Sequence, residues 1–201
     1  MTVQLIKNFE NPVQSSQVVF RKVLSALSEP GIWQTLPKCE TLPEFEPSTM
    51  SVLLTLLDAD TTLWLVDSKR SEAVKTNLIF HCGCQLTEDK NAAQFAIYDL
   101  ADFLADDQLA FSMGNDRYPD LSATIIVQIP ESSESLNVVW SGPGIENARE
   151  CQLPLPKEFW EKRDALIEFP RGIDFIFTQG DRVLGLPRST RITIEEMSEC
   201  M

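Results

Sequence analysis

Three observations predict an α/β fold for this 201-residue chain. Segments with apolar residues at helical spacing alternate with short apolar runs of strand length. The runs favour β-branched and aromatic residues, most of all 122–129 (Ser-Ala-Thr-Ile-Ile-Val-Gln-Ile), which reads as a central strand. Gly, Pro and Asp punctuate the joints between segments. With 43% hydrophobic residues the chain can bury one sizeable core, and no second domain is required.

In order, 11–28 reads as a helix with Phe20, Val23, Leu24 and Leu27 as its apolar face and Ser15 or Ser16 as N-cap. Ser28-Glu29-Pro30-Gly31 stops it, and 32–36 follows as a short strand. Glu29 is either a functional carboxylate or turn chemistry. After the proline-bearing loop 40–47, Ser48 or Thr49 caps a helix at 50–57 that is apolar nearly all round. Asp58 and Asp60 end it. As a pair they offer too few oxygens for a hard cation and equally suit loose backbone donors. A strand at 63–66 leads to a helix at 71–80, capped by Ser71, with Ala73, Val74, Leu78 and Phe80 facing inward.

His81-Cys82-Gly83-Cys84 holds three soft ligands, but at a tighter spacing than zinc sites use and without a second cluster downstream. It reads as a histidine beside inert thiols. His81 is the one histidine of the chain, so any imidazole proton transfer here must use it. Strand 94–98, a weakly helical stretch at 102–111 and a loop at 114–120 precede the central strand. Residues 136–140 are expected to pair with that strand as a hairpin, across a polar loop at 132–135. Ser141-Gly142-Pro143-Gly144 turns the chain with amides suited to an anion, though without the lysine of a phosphate loop. A helix at 156–167 buries Phe159, Trp160 and Leu166. Pro170-Arg171-Gly172 then breaks the chain, and Gln179-Gly180-Asp181 joins strands 173–177 and 182–186 into a hairpin. The acidic tail 195–201 is expected to fray.

The formal charge is −13, which argues against nucleic acid and against an anionic membrane surface. No apolar run has the length of a membrane span, and the first ten residues lack a signal layout, so a cytoplasmic protein is expected. Five scattered cysteines then read as reduced thiols. Against this acidic background Arg163, Arg171, Arg182, Arg188 and Arg191 crowd the last forty residues. They either prepare an anion site or pair with the chain's own carboxylates.

Taken in order, Phe20-Arg21, Leu27-Ser28-Glu29-Pro30-Gly31, Leu53-Leu54-Thr55-Leu56, Asp58-x-Asp60-Thr61, Trp64-Leu65, Phe80-His81, Gly142-Pro143-Gly144-Ile145, Phe169-Pro170-x-Gly172-Ile173-Asp174 and Pro187-Arg188-Ser189-Thr190 resemble the PhnH family, the H subunit of the bacterial carbon–phosphorus lyase system. The resemblance covers about 12–193. It implies one three-layer α/β sandwich with a mixed sheet, similar to the large domain of pyridoxal-phosphate transferases but without the cofactor. The lysines agree: Lys7, Lys22, Lys38, Lys69, Lys75, Lys90, Lys157 and Lys162 read as polar-side or exposed, with no buried Schiff-base candidate. No metal is expected, since Cys82-Gly83-Cys84 follows the matching His81 but is not part of the family's pattern.

The resemblance also implies sister subunits, a homodimer when isolated, and a reaction that joins an alkylphosphonate to the ribose of ATP and releases adenine. Displacing adenine leaves oxocarbenium character on the ribose. The residues proposed for that chemistry are Arg171, Arg188, Thr190 and the amides of Gly142 and Gly144 for the anions, Asp174 or Glu29 as carboxylate, and His81 as acid. A non-catalytic assembly subunit is the alternative. A stand-alone hydrolase is disfavoured, since no Gly-x-Ser-x-Gly elbow is present.

Overall fold

The computed structural model describes residues 4–7, 9–131 and 135–194. The expected tail, and all but the last residue of the 132–135 loop, lie outside the described residues. The chain is α/β. Its elements in order are α1 (Pro12–Ser28), β1 (Gln34–Thr35), α2 (Pro47–Leu56), β2 (Thr62–Leu65), α3 (Glu72–Cys82), β3 (Gln85–Leu86), β4 (Phe95–Asp99), α4 (Leu100–Ala105), β5 (Thr124–Gln128), β6 (Leu136–Ser141), β7 (Arg149–Leu153), α5 (Lys157–Ala165), β8 (Ile167–Glu168), β9 (Arg171–Gly172), β10 (Asp174–Gln179), β11 (Arg182–Leu186) and β12 (Arg191–Ile194).

A seven-stranded mixed sheet runs β1-β11-β10-β5-β4-β2-β3. Strands β3, β2, β4, β5 and β10 are mutually parallel, while β11 runs antiparallel to both β10 and β1. Strand β5 is central, as its composition predicts, and is flanked on both sides by parallel neighbours.

The expected 122–129/136–140 hairpin is therefore wrong. Strand β6 instead pairs with β7 and β12 in a separate three-stranded sheet. The physical reason is that β5 has no free edge. Val138 and Trp140 of β6 instead share a core with Ile125 and Val127 of β5.

Residue alternation sends each strand's side chains to two different cores. Leu63, Leu65, Ile97, Ile126, Ile176 and Val183 meet α1, α2 and α3. Trp64, Tyr98, Ile125, Val127, Phe175 and Phe177 meet α4, α5 and the small sheet. Helix α1 lies so close to β11 that a Cβ on Gly185 would stand 2.7 Å from the Ala26 carbonyl oxygen.

Several local expectations shift for stated reasons. Asn11, not Ser15 or Ser16, caps α1: its side chain accepts from the Gln14 amide at 3.4 Å, and Pro12 starts the helix with its φ already fixed. Pro47 likewise starts α2, which leaves Ser48 and Thr49 inside the helix and buried, with Thr49 Oγ1 2.7 Å from Thr178 Oγ1. The buried stripe of α1 is Val19, Val23 and Ala26, so Phe20 and Leu24 face out. Phe80 is also exposed. Ser71 caps α3 as expected, accepting from the Val74 amide at 3.2 Å.

The reading of the lysines fails at Lys69, which is only 5% exposed. A tight helical turn over Asp67–Lys69 carries it beneath the 41–46 loop. There its Nζ donates to the Glu44 carbonyl at 2.5 Å and lies 2.7 Å from Asp99 Oδ2.

Candidate functional site

Three of the five C-terminal arginines, Arg163, Arg188 and Arg191, converge where α5, β6 and β12 meet, while Arg182 lies on β11 against Gln179 and Trp33. Strand β6 ends at Ser141, which pairs with Arg191 of β12, and the chain then turns through Gly142-Pro143-Gly144 with the Ile145 amide bonded to the Gly142 carbonyl at 3.1 Å. Helix α5 ends with Arg163 and Asp164 beside the same junction. The result is a cavity of about 800 Å³ walled by Gly142, Arg163, Asp164, Arg188, Thr190 and Arg191.

Arg163 is 3% exposed, the most deeply buried cation of the described chain. Its Nη2 donates to the carbonyls of Thr190 (2.6 Å) and Pro187 (3.3 Å), and its Nη1 to Asp164 Oδ1 (3.2 Å). Its Nε has no hydrogen-bond partner among the described residues, and neither has Thr190 Oγ1. Burial pulls the Arg163 pKa down, opposed by the hydrogen bond and charge of Asp164 and by the charge of Asp174.

Arg188 is anchored differently. Its Nε lies 3.1 and 3.2 Å from the Asp174 oxygens, Nη2 reaches Asp174 Oδ2 and Ser122 Oγ at 2.5 Å, and Nη1 donates to the Pro119 carbonyl. Its own amide also donates to Asp174 Oδ1 at 2.7 Å. A guanidinium fork used this way ties three chain segments together and offers little to a ligand. Arg191 is exposed and forms no ion pair with any described residue.

Of the residues read from the sequence, Gly142, Arg188 and Thr190 line this cavity, and Asp174 backs it through Arg188. The others lie elsewhere. His81 sits in the helical layer on the opposite face of the sheet, its Nε2 3.1 Å from the Ile6 carbonyl. Glu29 is exposed past the end of α1, where its carbonyl accepts from Arg149. Arg171 bridges to Glu168 and to Asp116 (3.5 Å). Gly144 is required by packing: a Cβ there would collide with the Ser28 carbonyl. Gly142 packs similarly against Ser189. These glycines fasten the turn to neighbouring backbone, a role their spacing alone does not separate from anion binding.

Asp58 and Asp60 close a local turn, with the Asp60 amide bonded to Asp58 Oδ1 at 3.0 Å. Cys82 donates to the Leu53 carbonyl, and burial pushes its thiol pKa up to about 12; burial likewise takes Cys39 to about 11. Among the described residues no cluster of three or more His, Cys, Asp or Glu could hold a metal ion, and no helix is long and apolar enough to cross a membrane.

Sequence reasoning gathered Arg163 and Arg191 into the arginine cluster without giving either a role. The available signal was position: Arg163 falls on the same helical face as the buried Phe159 and Trp160, one turn on, so it could have been placed facing inward.

Residues 7–193 match the family model described as "Bacterial phosphonate metabolism protein (PhnH)". A curated relative from Rhizobium meliloti (strain 1021), named alpha-D-ribose 1-methylphosphonate 5-triphosphate synthase subunit PhnH, is 32% identical over 193 residues, covering 93% of this chain and 94% of the relative. Another from Stutzerimonas stutzeri, named putative C-P lyase subunit protein HtxG, is 26% identical over 181 residues, covering 89% and 86%. With a family match across nearly its whole length and a full-length relative at this identity, the chain belongs to the PhnH family of bacterial phosphonate metabolism proteins.

Proposed function

We propose that this chain is a subunit of the carbon–phosphorus lyase machinery and contributes an anion subsite to the step that couples an alkylphosphonate to the ribose of ATP with release of adenine. The named relatives support the assembly and the step. The observation that carries the subsite is the cavity itself. Three of its wall residues are arginines and one is a carboxylate, in a chain whose formal charge is −13. Such a hollow favours phosphate or phosphonate oxygens.

Arg191 supplies the accessible charge, Arg163 a buried positive field, and Thr190 with Gly142 the wall. Asp174 acts through Arg188, as a positioning residue. A carboxylate–imidazole pair built from Glu29 and His81 gains no support, because the two stand apart from the cavity and from each other; an acid for the departing adenine would then come from a sister subunit. The proposal extends to a cytoplasmic homodimer of one domain, whose frame is related to the large domain of pyridoxal-phosphate transferases. The mixed sheet supports the frame, and the exposed Val13, Phe20 and Leu24 on α1 support a protein contact.

The assembly reading keeps one observation in its favour: the Arg188 fork is consumed within the protein. Titrating the purified chain with methylphosphonate and with ATP separates the two readings. Saturable binding that Arg191→Ala weakens supports the subsite. If neither ligand binds and Arg191→Ala retains full turnover in the reconstituted complex, assembly is left as the role.

A further inference from the structure

A second hollow opens at the carboxyl ends of the parallel strands. Strand β2 is flanked by β3 on one side and β4 on the other. The helix leaving β2, α3, packs on the aliphatic face of the sheet, whereas the helix leaving β4, α4, packs on the aromatic face. Chains that diverge in this way leave a crevice between the two strand ends, the usual ligand position in open α/β sheets.

Here the crevice is built from polar side chains that are already held. Asp99 ends β4 and stands between Lys69 (2.7 Å) and Gln128 Nε2 (2.7 Å). Gln128 is 8% exposed and accepts from the Glu46 amide at 2.7 Å. Glu44 accepts from Ser71 Oγ at 2.6 Å, while its other carboxylate oxygen is buried without a partner among the described residues. Two adjoining hollows of about 540 and 460 Å³ share Glu46, Asp99 and Gln128. The smaller has an apolar wall of Leu100, Leu104, Ile129, Pro130 and Pro156.

This combination selects its occupant. Three carboxylates against one ammonium repel phosphate and other anions. Lys69, neutralising Asp99 at the floor, opposes a full cation. The apolar wall suits a flat ring, and the Glu46 carboxylate, together with the second lone pairs of the Asp99 oxygens that already accept from Gln128 and Lys69, suits N–H donors on its edge.

We propose that this crevice binds a neutral, planar heterocycle carrying N–H donors, a purine base, with the ring against the Leu104–Pro130 wall and its amino edge toward Glu46 and Asp99. Choosing adenine among such bases rests on the nucleotide reading above. The fold then holds two subsites of opposite polarity, joined by α5: Pro156 at its N-terminal end borders the crevice and Arg163 borders the arginine cavity.

The test is calorimetric titration of the full chain with adenine, with butylamine and with methylphosphonate. Adenine is expected to saturate and butylamine not to. Glu46→Gln, whose side chain makes no cap bond to α2, weakens adenine about tenfold by removing a charge-assisted acceptor. Ala101→Trp fills the hollow from an exposed position and abolishes adenine binding. Thermal unfolding checks that both variants fold. Failure of adenine to saturate, equal affinity in both folded variants, or equal binding of butylamine overturns the proposal. Adenine binding without methylphosphonate binding sustains the crevice and leaves the anion cavity to be decided by the ATP titration and the turnover of Arg191→Ala in the complex; the converse removes the crevice alone.

Discussion

Against one face of the central sheet lie three helices and an aliphatic core; against the other lie two shorter helices, a three-stranded sheet and a run of aromatic rings. The helical face comes from three nearly consecutive elements, each closing on its neighbour, and it meets the strand-end crevice only at its border, through Leu42, Phe45 and the N-cap of α2. The aromatic face is assembled from segments between Leu100 and Ile194 that are distant in sequence. Its rings interlock at centroid distances such as 5.2 Å for Phe103–Phe159 and 5.5 Å for Phe159–Phe177. Seams remain where these segments meet, and the arginine cavity and the apolar-walled part of the crevice border this layer. The arginine cavity opens on the face that is harder to assemble, and the strand-end crevice opens where the two faces meet.

The comparison sharpens most at Phe159, which is fully buried at the middle of the ring cluster. Phe159→Ala is expected to cost about 3–5 kcal/mol by urea unfolding and to weaken methylphosphonate binding, because α5 carries Arg163. Leu53→Ala on the helical face is expected to cost about 2–5 kcal/mol yet leave binding unchanged in the folded protein. Equal effects on binding would break the contrast. Next in size, Arg188→Ala should cost about 2–3 kcal/mol, since it strands the part-buried Asp174 and releases Pro119 and Ser122. Arg188→Lys should restore only part of that, because an ammonium cannot reproduce the fork.

The helical face has its own pH signature. Burial raises Cys39 to about 11 and Cys82 to about 12 from 9.0, so the folded state keeps protons that the unfolded chain sheds. Their contribution is fully present below pH 9 and is lost as pH climbs through the folded values. Melting temperatures followed from pH 8 to 11 should therefore fall less steeply in Cys82→Ala than in the parent. Smallest of all, Lys157→Ala removes an exposed pair with Glu161 and should shift stability by less than about 0.5 kcal/mol.

Legibility in the sequence divides along the same line. Four of the helices, the central strand and the β10–β11 hairpin follow from periodicity and turn chemistry, because local spacing decides them. Helix α4 (Leu100–Ala105) begins earlier than the helical stretch expected at 102–111 and is capped at Asp106, so most of that stretch is not helical. The small sheet did not follow, since β7 and β12 are short strands whose partner β6 is selected by tertiary packing. Phe20 and Leu24 carry helical spacing but sit one position off the buried stripe, which the bare surface at Gly185 determines from across the molecule. The arginine cavity was half legible: Arg188, Thr190 and Gly142 belong to it, while the burial of Arg163 depends on carbonyls at Pro187 and Thr190. The strand-end crevice was not legible, because Lys69, Asp99 and Gln128 are brought together only by sheet order.

That sheet order also carries a consequence for how the chain is made. Gln34 of β1 pairs with Val183 of β11, and α1 rests on the same strand. During synthesis the first helix and strand therefore leave the ribosome long before their seat exists. Until the last hairpin is translated, α1 can pack against α2, but the face it turns to β11 lacks its seat, which favours chaperone binding and misassociation of the N-terminal segment. Contacts this distant in sequence also slow folding. Ribosome-stalled chains ending before Gly180 should expose α1 to protease, and chains carried past Ile194 and clear of the exit tunnel should protect it.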